Sequence, residues 1–329
     1  MEWLTFGLAL ALITVLAAEF VNGWTDAPNA IATVISTGVM APRTAIVMAV
    51  VFNTLGAMAG TKVAETVGKG IVAPSALSLN AITATMLAII AWGGIAARVG
   101  LPVSKSHALL AGLMGAAFAG GGVDALLWSG WQKVLIGVFA SIGIGFTLSL
   151  AIGRIVMLVA GNLRPTRAKR TFDILQIVSA GFMAFMHGLN DGQKFMGVFA
   201  LTLLAGGATS KFEIPFWVIL VCALTMGIGT SFGGWKIIKM VGSKMTRLTS
   251  WQGFAAQTAA SSTILGASVF GIPLSTTHTI TSAIVGVAAC RRLSDVKWDV
   301  LGRIVVAWFI TFPFCAFIAY IAASIANRL

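Results

Sequence analysis

Charge is scarce in this 329-residue chain. Lys, Arg, Asp and Glu make up 10% of it, against 58% hydrophobic residues and a mean hydropathy of +0.94. A soluble globular chain carries roughly 25% charged residues, so a water-soluble globule is excluded. Cysteine occurs three times, histidine three times and tyrosine once. Cys222, Cys290 and Cys315 have no paired or metal-like spacing and lie in or at the end of apolar stretches. They read as small buried hydrophobes, not as a disulfide framework or a zinc site. There is no Gly-x-x-x-x-Gly-Lys-Ser/Thr loop for nucleotide hydrolysis and no His-Glu-x-x-His for a zinc protease. Gly266-Ala-Ser268-Val269 lacks the second glycine of an intramembrane serine protease motif. No complete catalytic constellation exists, and no cofactor is implied, so an enzyme is not expected.

What remains is apolar, with 37 Gly and 10 Trp. Abundant glycine suits helices that pack closely in lipid. Apolar stretches fall at about 3–21, 27–40, 44–60, 76–97, 101–120 and 131–160. A second set follows at about 173–187, 191–206, 214–235, 250–270, 273–290 and 299–326. The first run has no basic leader or small-residue cleavage pattern and reads as a first helix. A full crossing needs ~20 residues. The short runs therefore pair, 3–21 with 27–40 and 173–187 with 191–206, into two long crossings each broken at a polar motif. The expected fold is an all-α polytopic membrane protein with 10–12 membrane segments, including broken helices and re-entrant hairpin-like segments.

The chain is internally duplicated. Gly100-Leu-Pro-Val-Ser-Lys-Ser-His107 aligns with Gly271-Ile-Pro-Leu-Ser-Thr-Thr-His278, and Gly115 with Gly286. Asn22-Gly-Trp-Thr-Asp26 aligns with His187-Gly-Leu-Asn-Asp191, and Gly60-Thr-Lys62 with Gly234-Trp-Lys236. Three matches in the same order define a first repeat, 1–160, a basic linker, 161–172, and a second repeat, 173–329. The net charge of +12 sits in short loops, as topology demands, and not in a nucleic-acid surface. Arg164, Arg167, Lys169 and Arg170 put the linker in the cytoplasm. Lys236, Lys239, Lys244 and Arg247 make one second-half loop basic, and Arg291, Arg292, Lys297 and Arg303 make another. Their first-half counterparts hold only Lys62, Glu65 and Lys69, or Asp124 and Lys133. Loops basic in one half and near neutral in its twin imply inverted-topology repeats, an odd number of crossings per half, and both termini outside the cell membrane. Inverted repeats with matching interruptions are the pattern of a secondary transporter with a midplane site.

Two kinds of residue carry the chemistry. Asp26 and Asp191 are carboxylates at membrane depth, where each costs a few kcal/mol. Asn22, Asn29, Asn190, Gln193 and, from a later segment, Gln257 add amide oxygens, so these seven form the candidate cation set, with Na⁺ at Asp26 and Asp191 or a proton carried there. The Pro-x-Ser-x-x-His segments open helices whose free N–H groups and partial positive charge suit a tetrahedral oxyanion. Ser104, Lys105, Ser106, Ser275, Thr276 and Thr277 are the candidate anion ligands. His187, Lys194 and Glu19 are candidates for gating or proton movement, Lys194 also as a counterion. His107 and His278 read more simply as structural.

These motifs resemble the inorganic phosphate transporter family often called PiT, sodium- or proton-coupled phosphate symporters. The likeness spans essentially the whole chain and rests on Asn22–Thr33, His187–Gly197, Gly100–His107 and Gly271–His278. It implies phosphate as substrate, Asp26 and Asp191 in cation coupling, the Ser/Thr helix starts as phosphate ligands, a lipid bilayer and a homodimer. The pattern departs at Thr25, where the family usually has Asn, at Lys194, often Asn, and at Gln257, commonly Glu. A sulfate permease of the same fold and a passive anion channel are the alternative readings.

Overall fold

The computed structural model describes residues 5–290 and 292–326; Trp3 of the first apolar run and Arg291 of the basic loop lie outside them. The described residues are helical, with one isolated bridge between Val72 and Leu126 and no strand. The chain is a multi-pass membrane protein.

Both interrupted crossings are single continuous helical runs. Phe6–Ser36 spans 31 residues, as α1 (Phe6–Asp26) and α2 (Pro28–Ser36), joined at Ala27. Pro28 can follow there because a helix start needs no proline N–H. The second run, Pro165–Ala205, spans 41 residues. Preceding it in chain order are α3 (Pro42–Ala57), α4 (Lys62–Gly70), α5 (Leu79–Val99), α6 (Lys105–Gly121), α7 (Trp128–Phe139) and α8 (Gly145–Gly161). The run itself comprises α9 (Pro165–His187), a π-turn at Gly188–Gly192 and α10 (Gln193–Ala205). The π-turn inserts the Asn190-Asp191 motif without ending the helix, a common form at functional sites.

The remaining elements are α11 (Phe216–Ser231), α12 (Trp235–Lys239), α13 (Ser250–Val269), α14 (Thr276–Ala289) and α15 (Trp298–Ala326). The element order of 6–161 thus recurs in 165–326. A long run with a motif break comes first. A bent pair follows, α3–α4 at 66° and α11 with 235–244 at 65°. A helical hairpin, α5–α6 or α13–α14, then leads into a final long run, 128–161 or α15.

Five runs are long and apolar enough to cross a membrane, and seven if each bent pair is one span. The ten to twelve membrane segments expected include hairpin helices such as α6 and α14, which at 17 and 14 residues are too short for a full crossing. Each hairpin turns at the glycine that opens its motif. Gly100 and Gly271 adopt φ of 81° and 65°, the left-handed region where a Cβ is strained.

The halves interlock reciprocally. The α15 helix packs on α6 and α14 on α8, while α11 packs on α1 and α3 on α9. Glycines permit these approaches: Gly56 lies against the Phe185 carbonyl and Gly229 against the Phe20 carbonyl. Lys62 Nζ donates to the carbonyl of Val269 at the end of α13 (3.1 Å), and its counterpart Lys236 donates to Arg98 near the end of α5 (2.7 Å). Each bent pair thus latches the hairpin of the other half, with the cation favoured at a helix C-terminus. A methyl group at Gly56 or Gly229 would enter a backbone carbonyl. Gly56→Ala and Gly229→Ala should each cost about 1–3 kcal/mol, seen as a lower unfolding midpoint in detergent. Gly94→Ala, with open space around it, should leave that midpoint in place.

Candidate functional site

The break in each long run carries an aspartate to the centre of the bundle, and the two hairpin tips close over it. Ser104 and Ser275 cap the second helices of the hairpins, each hydroxyl accepting from the backbone N–H of the motif histidine three residues on, both at 3.2 Å. The cap fixes the tip so that residues 105–106 and 276–277 face the aspartates. Ser106 Oγ donates to the Leu274 carbonyl (3.1 Å), joining the two tips, and Asn29 Nδ2 donates to Thr277 Oγ1 (3.0 Å), joining α2 to the second tip.

Asp26 and Asp191 are 3% and 2% exposed, and Lys105 and Lys194 are 1% exposed each. An oxygen of each carboxylate and a nitrogen of His187 all lie within 4.8 Å of one another. Two bare carboxylates at that separation would repel by roughly 3 kcal/mol even at an effective dielectric of ~20. Each instead has its own ammonium. Lys105 Nζ lies 2.7 Å from Asp26 Oδ1, and Lys194 Nζ lies 2.5 Å from Asp191 Oδ1.

Lys194 also donates to Ser106 Oγ (2.5 Å) and the Leu274 carbonyl (2.7 Å), which uses all three of its donors. Lys105 donates also to the Val103 carbonyl at 3.2 Å. The outer oxygens of the carboxylates accept from α14, Asp191 Oδ2 from Thr276 (2.7 Å) and Asp26 Oδ2 from Thr277 (3.5 Å). His187 sits 3.3 Å from Asp191 through Nε2 and meets Asn53 Oδ1 at 3.0 Å through Nδ1.

The structure therefore brings together Asp26, Asn29, Lys105, Ser106, His187, Asp191, Lys194, Thr276 and Thr277. Lys105, expected among the anion ligands, is the partner of Asp26, and Lys194 serves as the counterion of Asp191. Glu19 is fully buried and accepts from Asn22 Nδ2 at 3.1 Å; Glu19 Oε1 and Asn22 Oδ1 have no partner among the described residues.

Three amides are engaged away from the aspartates. Gln193 Oε1 accepts from the Val63 N–H (2.8 Å), and Asn190 Nδ2 donates to Ser268 Oγ (2.9 Å). Gln257 bridges the Ala30 carbonyl (3.0 Å) and the Ser179 hydroxyl (2.9 Å). Both partners are neutral, which suits an amide where a carboxylate would be uncompensated.

The whole-chain geometry has a solved counterpart. A structure titled "The sodium-dependent phosphate transporter" superposes with a TM-score of 0.83 at 25% identity, over 99% of this chain and 100% of that one. The model of the phosphate transporter family matches residues 22–164 and 159–319. The chain belongs to that family. A Rhizobium meliloti protein named "probable low-affinity inorganic phosphate transporter" is 43% identical over 98% of each chain. A Bacillus subtilis protein of the same name is 40% identical over 97% of each.

Sequence reading passed over Asn53 and Trp308. Asn53 is a fully buried amide inside an apolar run, which was the available signal; it also donates to Thr230 (3.1 Å). Trp308 stacks on His278 at 3.8 Å, and His278 meets His107 at 4.4 Å. That aromatic cluster packs the motif histidines, and nothing in the spacing of residue 308 announces it.

Removing one member of a buried pair leaves the other charge uncompensated, at about 3–5 kcal/mol. Lys194→Met should therefore destabilise the detergent-solubilised protein more than the double change Lys194→Met with Asp191→Asn. A double-mutant cycle on the unfolding midpoint tests this, and additive effects would mean that the pair is not coupled.

Proposed function

We propose that this member of the phosphate transporter family imports inorganic phosphate by cation-coupled symport across the cell membrane. The observation that carries the reading is the meeting of two capped helix N-termini, α6 and α14, over a buried aspartate pair. Each N-terminus offers free N–H groups and about half a positive charge. Ser106, Thr276 and Thr277 add hydroxyls in the first turn, and Ser104 and Ser275 hold the tips. Phosphate would sit between these starts, exchanging hydrogen bonds now made within the tips for bonds to its own oxygens.

Alternating access is supported by the reciprocal fold. With the halves in inverted topology and the basic linker in the cytoplasm, the Lys62 latch faces one side of the membrane and the Lys236 latch the other. Breaking one latch would open one path to the site while its twin keeps the other shut. An open hollow lined by Lys62, Lys69, Lys133 and Glu65, beside Gly271 of the second tip, keeps a positive balance that gives an anion an electropositive approach even with Glu65 paired to Lys69. The driving cation is Na⁺ or a proton, and both termini are extracytoplasmic. A homodimer is the assembly expected by analogy. Sulfate, which carries no proton at neutral pH, would gain less from a site rich in carboxylates.

Labelled phosphate uptake into proteoliposomes tests this reading. Accumulation should exceed equilibrium under an imposed cation gradient, and passive equilibration alone would indicate a channel. Asp26→Asn and Asp191→Asn should each abolish accumulation; near-normal uptake in both would remove the aspartates from coupling. Ser106→Ala and Thr277→Ala should raise the half-saturating phosphate concentration by about tenfold, the loss of one hydrogen bond to a charged ligand. Equimolar sulfate should leave the uptake unchanged.

A further inference from the structure

The two halves can be compared residue by residue at the site. Asp26 corresponds to Asp191, Asn29 to Lys194, Val103 to Leu274 and Lys105 to Thr276. At both positions where a lysine occurs, the other half has a short neutral side chain. The two ammonium groups nevertheless end in equivalent places. Lys105 Nζ binds Asp26 and the Val103 carbonyl, and Lys194 Nζ binds Asp191 and the Leu274 carbonyl. One lysine arrives from a hairpin tip and the other from a broken helix. What the halves share is therefore a cation position: a motif carboxylate plus the carbonyl just before the capping serine.

We propose that Lys105 and Lys194 are tethered cations that fill both of these positions, so that Na⁺ neither binds at the aspartates nor drives transport. The proposal rests on the reading of the chain as a phosphate transporter and specifies its coupling ion. Na⁺ is bound by converging oxygens, and those oxygens are present here. Three of them surround Lys194 Nζ at 2.5–2.7 Å, so an incoming ion would meet an ammonium group already in place. Each lysine neutralises its carboxylate at a burial where an unpaired charge is costly.

The same covalent tether prevents release. An ammonium held on a side chain cannot leave into the cytoplasm, so it cannot draw energy from a Na⁺ gradient. Accumulation of phosphate then depends on the proton gradient, with the proton entering on the phosphate or beside it. Glu19, His107 and His187 are further ionisable groups near the two pairs.

Two measurements on the purified full-length protein decide the matter. In proteoliposomes, an inward proton gradient in Na⁺-free buffer should accumulate labelled phosphate. An inward Na⁺ gradient at matched pH should do no better than a K⁺ gradient. In detergent, replacing K⁺ by Na⁺ at constant ionic strength should leave the unfolding midpoint of the wild type unmoved. Lys105→Thr and Lys194→Asn, the residues of the opposite half, should each gain a Na⁺-specific rise of about 2–4 °C, as a newly bound ligand stabilises the fold.

Na⁺-dependent accumulation or a Na⁺-specific shift in the wild type would overturn the proposal while leaving phosphate transport intact. Variants that fold and ignore Na⁺ would overturn it as well. If neither variant folds, the wild-type comparison between Na⁺ and K⁺ decides alone. If no gradient accumulates phosphate, the transport reading fails, and the midpoint comparison still judges the tethered cations.

Discussion

Carboxylates near the centre of a membrane protein need partners, and the rest of this fold follows from how Asp26 and Asp191 obtain theirs. Each sits at an interruption in a long helix, where side chain and backbone can turn toward the bundle axis without ending the crossing. Each is met by an ammonium group, a threonine hydroxyl from α14 and, through its lysine, a hairpin-tip carbonyl. Because Lys194 also binds Ser106 of the opposite half, the charge pairs act as fasteners between the repeats. Charge compensation and tertiary closure are one set of contacts here, so a ligand that rearranges the tips must also rearrange the ion pairs.

Reciprocity extends outward from that centre. The equivalent glycines Gly56 and Gly229 each receive a carbonyl from the opposite half, and Lys62 and Lys236 each hold the end of the opposite hairpin. Each device occurs twice, once in residues 6–161 and once in residues 165–326. The departures from symmetry are concentrated at the site, where one half places its lysine on the hairpin and the other on the broken helix. Gln257 stands apart from that arrangement, its two hydrogen bonds going to the neutral Ser179 hydroxyl and Ala30 carbonyl. Differences between the halves therefore say more about the chemistry of transport than the similarities, which describe the scaffold.

The membrane class, the recurring motifs and the two buried aspartates were legible in the chain because their signals are local. Hydropathy reads the class, fixed spacing reads the repeat, and a carboxylate inside an apolar run is costly enough to mark itself. The caps at Ser104 and Ser275 were legible for the same reason, since Pro-x-Ser before a helix is a short-range pattern. Length and apolar content located the hairpin helices as well, but they do not distinguish a hairpin helix buried in protein from one that traverses lipid.

The partners of the charged groups were decided by the fold. Lys105 stands among hydroxyl residues at a helix start and so looked like an anion ligand, yet the residue it meets is 79 positions away in sequence. Gln193 and Asn190 lie beside Asp191 in the chain but turn to Val63 and Ser268. Trp308 became visible only when packing placed it on His278, and packing alone showed that Asn53 meets His187. By itself the sequence determined which residues could not be left in lipid unpaired and where each helix would break. Which cation answers which carboxylate depends on distances between segments far apart in the chain, and only the packed bundle sets those distances.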